Sequence, residues 1–156
     1  MIADSDTLPE TNEAGAALTE LMLETFRLNG RLVALGDRRT SVIGLSTARW
    51  QVLGAVNEGA FTVSQIARNM GLRRQSVQRT VDLLTREGLL ELAPNPHHQR
   101  AKLVHLTVSG EAKLHDVFTG HITFTNELGA EFSARDLRMA VQAMRSLRDR
   151  IEKDEP

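Results

Sequence analysis

Two short runs of this chain hold the side chains best suited to chemistry. Residues 73–79 read RRQSVQR, which sets Arg73, Arg74 and Arg79 among Gln75, Ser76 and Gln78. Residues 95–102 read NPHHQRAK, a turn-forming Asn and Pro followed by His97, His98, Arg100 and Lys102. Arginine forks onto planar acceptors, glutamine offers a donor beside an acceptor, and neutral imidazole is a common metal ligand. The two runs admit three chemistries: metal binding, catalysis, or contact with a polyanion.

A structural metal site needs three or four convergent ligands. The chain has five histidines and no cysteine. His97 and His98 are neighbours in a turn and project apart, His105 falls in a strand, and His115 and His121 fall on the next helix, so no metal site is expected. The absence of cysteine also excludes disulfides and thiol switches. No Gly-rich phosphate loop, G-x-S-x-G elbow, H-E-x-x-H or paired-carboxylate motif occurs, so neither an enzyme nor a cofactor is expected.

Charge favours the polyanion. The formal net charge is −1, but residues 62–106 hold seven basic residues against three acidic ones, a local +4, while the remainder is −5. A segment of one sign inside a near-neutral chain is the distribution expected when only that segment faces phosphate.

The elements that must position these residues follow from periodicity. Residues 1–12 are acidic and polar and read as a disordered tail. No apolar run approaches the roughly 18 residues of a membrane span, and the acidic start is unlike a signal peptide, so a cytoplasmic protein without a membrane partner is expected. From about Ala14 to Arg38 the spacing predicts a long helix, with Leu18, Leu21, Leu28, Leu32 and Leu35 on one stripe and Met22, Phe26 and Val33 widening it. A helix apolar on more than one face needs cover on more than one side, and a partner subunit would supply it. Ser46 can cap a second helix carrying Trp50, Leu53 and Val56, which Gly59 ends.

The next start signal is sharper. Thr62 and Gln65 form a capping box, Ile66 and Met70 an i, i+4 apolar pair, and Gly71 a left-handed stop. In the helix that follows, Val77, Val81 and Leu84 share one face, leaving the polar residues of 73–79 outward, and Gly88 terminates it. LLEL and AKLVHL then make a β-hairpin around the histidine turn. Thr107 restarts helix, and Ser133 with Asp136 caps a last one whose Leu137, Ala140, Met144, Leu147 and Ile151 form a heptad-like seam. Such a seam requires a facing helix.

A short helix, a glycine turn, a second helix with a polar outer face and a hairpin together make a winged helix-turn-helix, in a mainly α chain with a small β-hairpin wing. Arg74, Gln75, Gln78 and Arg79 then stand where bases are read in a major groove, with Ser76 a small donor beside them. The bland alternative is a solvated helix face.

The runs LSTARWQVLGAV, TVSQIARNMGLRRQSVQRTVDLLTREGLLEL and PNPHHQRAKLVHLTVSGEAKL resemble the MarR family of transcription regulators, over about residues 18–153 in element order. The resemblance implies a winged helix-turn-helix DNA-binding domain over residues 45–106 and helical dimerisation segments over 13–40 and 107–153. It implies an obligate homodimer on pseudo-palindromic double-stranded DNA, acting as a repressor, less often an activator, with a small-molecule effector entering a crevice. On that implication Trp50, with Met22, Phe26, Arg49 and Phe61, is a candidate effector-binding residue, although a large aromatic at helical spacing ordinarily packs in a core.

Two positions depart from the family pattern. Arg73 stands where the family often has a capping serine, and it could reach a phosphate instead. His98, Gln99 and Arg100 stand where the family commonly has Asp-x-Arg, so Arg100 inherits the wing's DNA contact without its usual aspartate. Lys102 faces the same backbone, and His98 would add a contact on protonation. Two rival readings stay open: a winged-helix protein-interaction module without DNA binding, and a metal-responsive regulator.

Overall fold

Asn12 begins the first helix. It is extended, its side-chain oxygen accepts the Gly15 N–H at 2.8 Å, and Glu13 adds a negative charge to the first turn. The structure, a computed structural model, describes residues 10–98 and 100–154, so residues 1–9 of the expected tail lie outside it. The chain divides into two units, one ending at Val52 and the other starting at Leu53.

The first unit is built on α1 (Glu13–Thr40), about 42 Å long at 1.5 Å per residue. Leu18, Met22, Phe26, Leu28 and Leu32 of the expected stripe are exposed along it. At its end Thr40 is buried, its hydroxyl 2.9 Å from the Gly36 carbonyl and 3.0 Å from that of Leu45. One 3-10 turn, Ser41–Ile43, and Gly44 at φ +72° bring the chain round to α2 (Thr47–Asn57).

Ser46 stands at the start of α2 as expected, its carbonyl accepting the N–H groups of Arg49 and Trp50, each at 3.0 Å. A charged acceptor reaches in from α1: Asp37 Oδ1 takes the Thr47 N–H at 2.6 Å, and Thr47 Oγ1 donates to the Val33 carbonyl at 3.0 Å. The Thr47 backbone N–H holds the Asp37 carboxyl below its ordinary pKa.

The second unit holds β1 (Phe61–Thr62), α3 (Val63–Asn69), α4 (Arg74–Arg86), β2 (Leu90–Ala93), β3 (Leu103–Leu106), α5 (Val108–Gly129) and α6 (Ala134–Asp154). The strands form an antiparallel sheet in the order β1-β3-β2, with Leu90 opposite Leu106 and Phe61 opposite Val104. The hairpin was expected and β1 was not, because two residues are too few to show alternation. Ile66, Val77, Val81, Leu84, Leu90, Val104 and Leu114 are fully buried, and each buried side chain of this size contributes about 1.5–3 kcal/mol.

Thr107 ties the hairpin to α5. Its hydroxyl donates to the Gly88 carbonyl at 2.6 Å and accepts the Gly110 N–H at 3.1 Å. Gly110 is buried, and a Cβ there would stand 2.0 Å from the Leu89 carbonyl oxygen, so only glycine permits this approach. Burial in α5 is confined to Gly110, Leu114 and Val117 among the described residues, and α6 has no buried residue. The seam residues Leu137, Met144 and Ile151 are exposed in the single chain.

Candidate nucleic-acid interface

α3 opens with both halves of its capping box in place: Thr62 N–H donates to Gln65 Oε1 at 2.8 Å, and Gln65 N–H donates to Thr62 Oγ1 at 3.3 Å. It closes at Gly71, φ +63°, where the Leu72 N–H returns to the Ala67 carbonyl at 2.8 Å. Arg73 follows as the N-cap of α4. It is extended, makes no side-chain cap, and accepts the Ser76 and Val77 N–H groups on its carbonyl. The start of α4 thus carries the positive end of the helix dipole beside two arginines, a setting that suits an anion.

Val77, Val81 and Leu84 hold α4 down on the core, as their spacing predicted. The opposite side presents Arg74, Gln75, Gln78 and Arg79 along one open groove, with Ser76 exposed on the same helix. Gln78 is half-buried, and its Nε2 donates to Asp82 Oδ1 at 2.8 Å.

The wing turn is set by Asn95, whose Oδ1 accepts the His97 N–H at 2.9 Å and whose carbonyl accepts the His98 N–H at 3.2 Å. Ala101 N–H then donates to the His98 carbonyl at 3.2 Å. His97 and His98 are exposed, and Gln99 lies outside the described residues. Among the described residues no group of three or more His, Cys, Asp or Glu is placed to hold a metal ion.

Wing and recognition helix meet at a cleft of about 220 Å³. Arg74 and Gln78 line it from α4, Arg100 and Lys102 from the wing, and Thr62 and Ser64 from the head of α3, with no carboxylate among its described lining. Three cations around one small opening repel each other unless an anion enters. The α3 hydroxyls at this cleft are not legible in the sequence. The Thr62 capping signal located the helix start but gave no hint of what stands opposite it.

The candidate effector residues are distributed over three elements. Met22 and Phe26 stand one turn apart on α1 and are exposed, Arg49 and Trp50 are half-buried on α2, and Phe61 is half-buried on β1. Arg49 Nη1 donates to the Gly44 carbonyl at 2.9 Å. The cation that a carboxylate effector would meet is therefore already engaged with backbone.

A capped short helix, a glycine turn, a cationic second helix and a three-stranded wing define a winged helix-turn-helix DNA-binding module. Residues 43–101 match the MarR family model. An uncharacterized protein of Mycobacterium tuberculosis is 33% identical over 130 residues, covering 83% of this chain and 91% of that protein. The transcriptional activatory protein BadR of Rhodopseudomonas palustris is 28% identical over 94 residues, 58% of this chain and 54% of BadR. The HTH-type transcriptional repressor IacR of Pseudomonas putida is 29% identical over 85 residues, 54% of this chain and 51% of IacR.

Solved structures share the fold. A MarR/EmrR family regulator from Acinetobacter sp. ADP1 superposes with a TM-score of 0.78 at 18% identity, covering 86% of this chain and 96% of that one. A mutant MarR from E. coli complexed with operator DNA gives 0.70 at 20%, covering 84% and 95%. CouR from Rhodococcus jostii RHA1 bound to p-coumaroyl-CoA gives 0.70 at 20%, covering 78% and 86%. The chain belongs to the MarR family of winged-helix transcription regulators. Family and fold are those of DNA-binding regulators and not of enzymes, and no helix among the described residues is long and apolar enough to cross a membrane.

Proposed function

We propose that this regulator binds a pseudo-palindromic duplex operator as a homodimer and represses transcription from it. The observation that carries the reading is the convergence of Arg74, Arg100 and Lys102 on one cleft without a carboxylate, beside the groove formed by Arg74, Gln75, Gln78 and Arg79. On this reading α4 lies in the major groove. Arg74, Gln75, Gln78 and Arg79 meet base edges, Ser76 a base or a phosphate, and Arg73 and Lys102 phosphates. Arg100, with His98 at the wing tip, reaches the neighbouring backbone or minor groove. The E. coli MarR structure complexed with operator DNA supports this placement through its shared fold.

The homodimer is supported by the exposed stripe of α1 and by the exposed seam of α6, apolar surface of the kind that marks a protein interface. Two copies related by a two-fold axis would read half-sites about 34 Å apart, one helical turn of DNA. A small-molecule effector would act by population shift, binding better to a dimer whose recognition helices are mis-spaced. The fold shared with ligand-bound CouR supports this part of the reading. An electrophoretic shift with the DNA upstream of the protein's own gene tests the whole. A salt-sensitive, saturable complex is expected, and a protein that shifts neither this DNA nor any other duplex fits the protein-interaction alternative instead.

A further inference from the structure

We propose that Asp82 is the residue that positions Gln78 for base recognition, turning a two-faced amide into a selector for adenine over guanine. The inference rests on the reading that α4 enters the major groove. Gln78 lines both the cleft and the α4 groove, so it stands where wing and recognition helix meet. A glutamine amide carries two N–H donors on one end and a carbonyl acceptor on the other. Left free, it can flip and offer either end to a base.

Asp82, one turn further along α4 and exposed, removes that freedom. An ionised carboxylate only accepts, so it engages the nitrogen end, as the 2.8 Å contact from Nε2 to Oδ1 shows. One N–H is spent on Asp82, and Gln78 keeps one N–H and its Oε1. That remaining pair complements adenine, whose N7 accepts and whose N6 donates. Guanine presents two acceptors, N7 and O6, and leaves Oε1 without a donor. Asp82 makes no base contact of its own in this scheme, and its negative charge weakens phosphate attraction for every sequence alike.

Selection of bound duplexes from a randomised pool, followed by measured affinities for the best duplex and its adenine-to-guanine variants, tests the proposal. The wild type should prefer adenine at one position of each half-site, and Asp82→Ala should reduce that preference by about tenfold while raising overall affinity. In a Gln78→Ala background the same substitution should leave the adenine-to-guanine ratio unchanged, because the effect passes through Gln78. Asp82→Lys, a helix former whose ammonium would engage Oε1 instead, should turn both N–H groups to the base and favour guanine. A consensus whose adenine-to-guanine ratio is the same in wild type, Asp82→Ala and Asp82→Lys overturns the role of Asp82. A wild type that enriches no sequence overturns the DNA reading beneath it.

Discussion

Arg74, in the first turn of α4, and Arg100, in the wing, line the same cleft although a helix and a strand separate them in sequence. The antiparallel register of β2 with β3, Leu92 opposite Val104 and Ala93 opposite Leu103, returns the chain so that the wing's cations stand near the start of α4. Recognition helix and wing are therefore one electrostatic surface, and substitutions in either should act on the same ligand.

Arg100→Ala is expected to weaken DNA binding and to reduce the slope of log affinity against log salt by about one, the signature of one lost phosphate contact. Affinities measured at several salt concentrations check this. An unchanged slope would remove the wing from the interface.

Arg79→Ala should alter which sequence is bound as well as how tightly, because Arg79 lies on the α4 groove and arginine contacts to base edges carry about 1–3 kcal/mol of discrimination. Competition between the selected duplex and its single-base variants reads the effect. An equal loss on all of them would make Arg79 a phosphate contact.

Gly110→Ala should lower the melting temperature, since its Cβ would meet the Leu89 carbonyl 2.0 Å away and the backbone must shift. Overpacking of this kind costs about 1–3 kcal/mol or more. A calorimetric scan showing wild-type stability would mean that α5 does not approach Leu89 as described.

Asp37 links pH to the stability of the first unit. Folding lowers its pKa through the bond from the Thr47 N–H, so its contribution is present above the unfolded carboxylate value, about 3.9, and is lost as pH falls through the folded value. Asp37→Asn should melt below the wild type at pH 7, with the difference closing as pH falls below the unfolded value and through the lowered folded one. A difference independent of pH would contradict the assignment to the ionised carboxylate.

Met144→Asp, placed in the exposed α6 seam, should reduce the mass in solution from two copies of the 17.3 kDa chain toward one. Sedimentation of both proteins decides it, and a wild type that sediments as a single chain would sink the homodimer.

Much of the DNA-binding region was legible in the sequence because its signals are local. The Val77, Val81 and Leu84 spacing, the Thr62 and Gln65 box, and Gly71 and Gly88 at positive φ each lie within one or two turns of what they specify. The meeting of Arg74 with Arg100 was only hinted at by clustered charge, since it depends on strand register. β1 was missed because its two residues pair with β3 through Phe61–Val104 and Thr62–Leu103, partners far away in the chain. The Asp37–Thr47 bond was missed for a related reason: it joins two helices across a turn, and no periodicity marks it.

Hydroxyl-radical footprinting of the complex with a selected duplex decides whether α4 and the wing of two protomers read duplex DNA. Two protected patches related by a pseudo-two-fold axis and centred about 34 Å apart are expected, both lost together in the Arg74→Ala, Arg79→Ala, Arg100→Ala triple variant. No protection, or protection that survives in the triple variant, would contradict that reading.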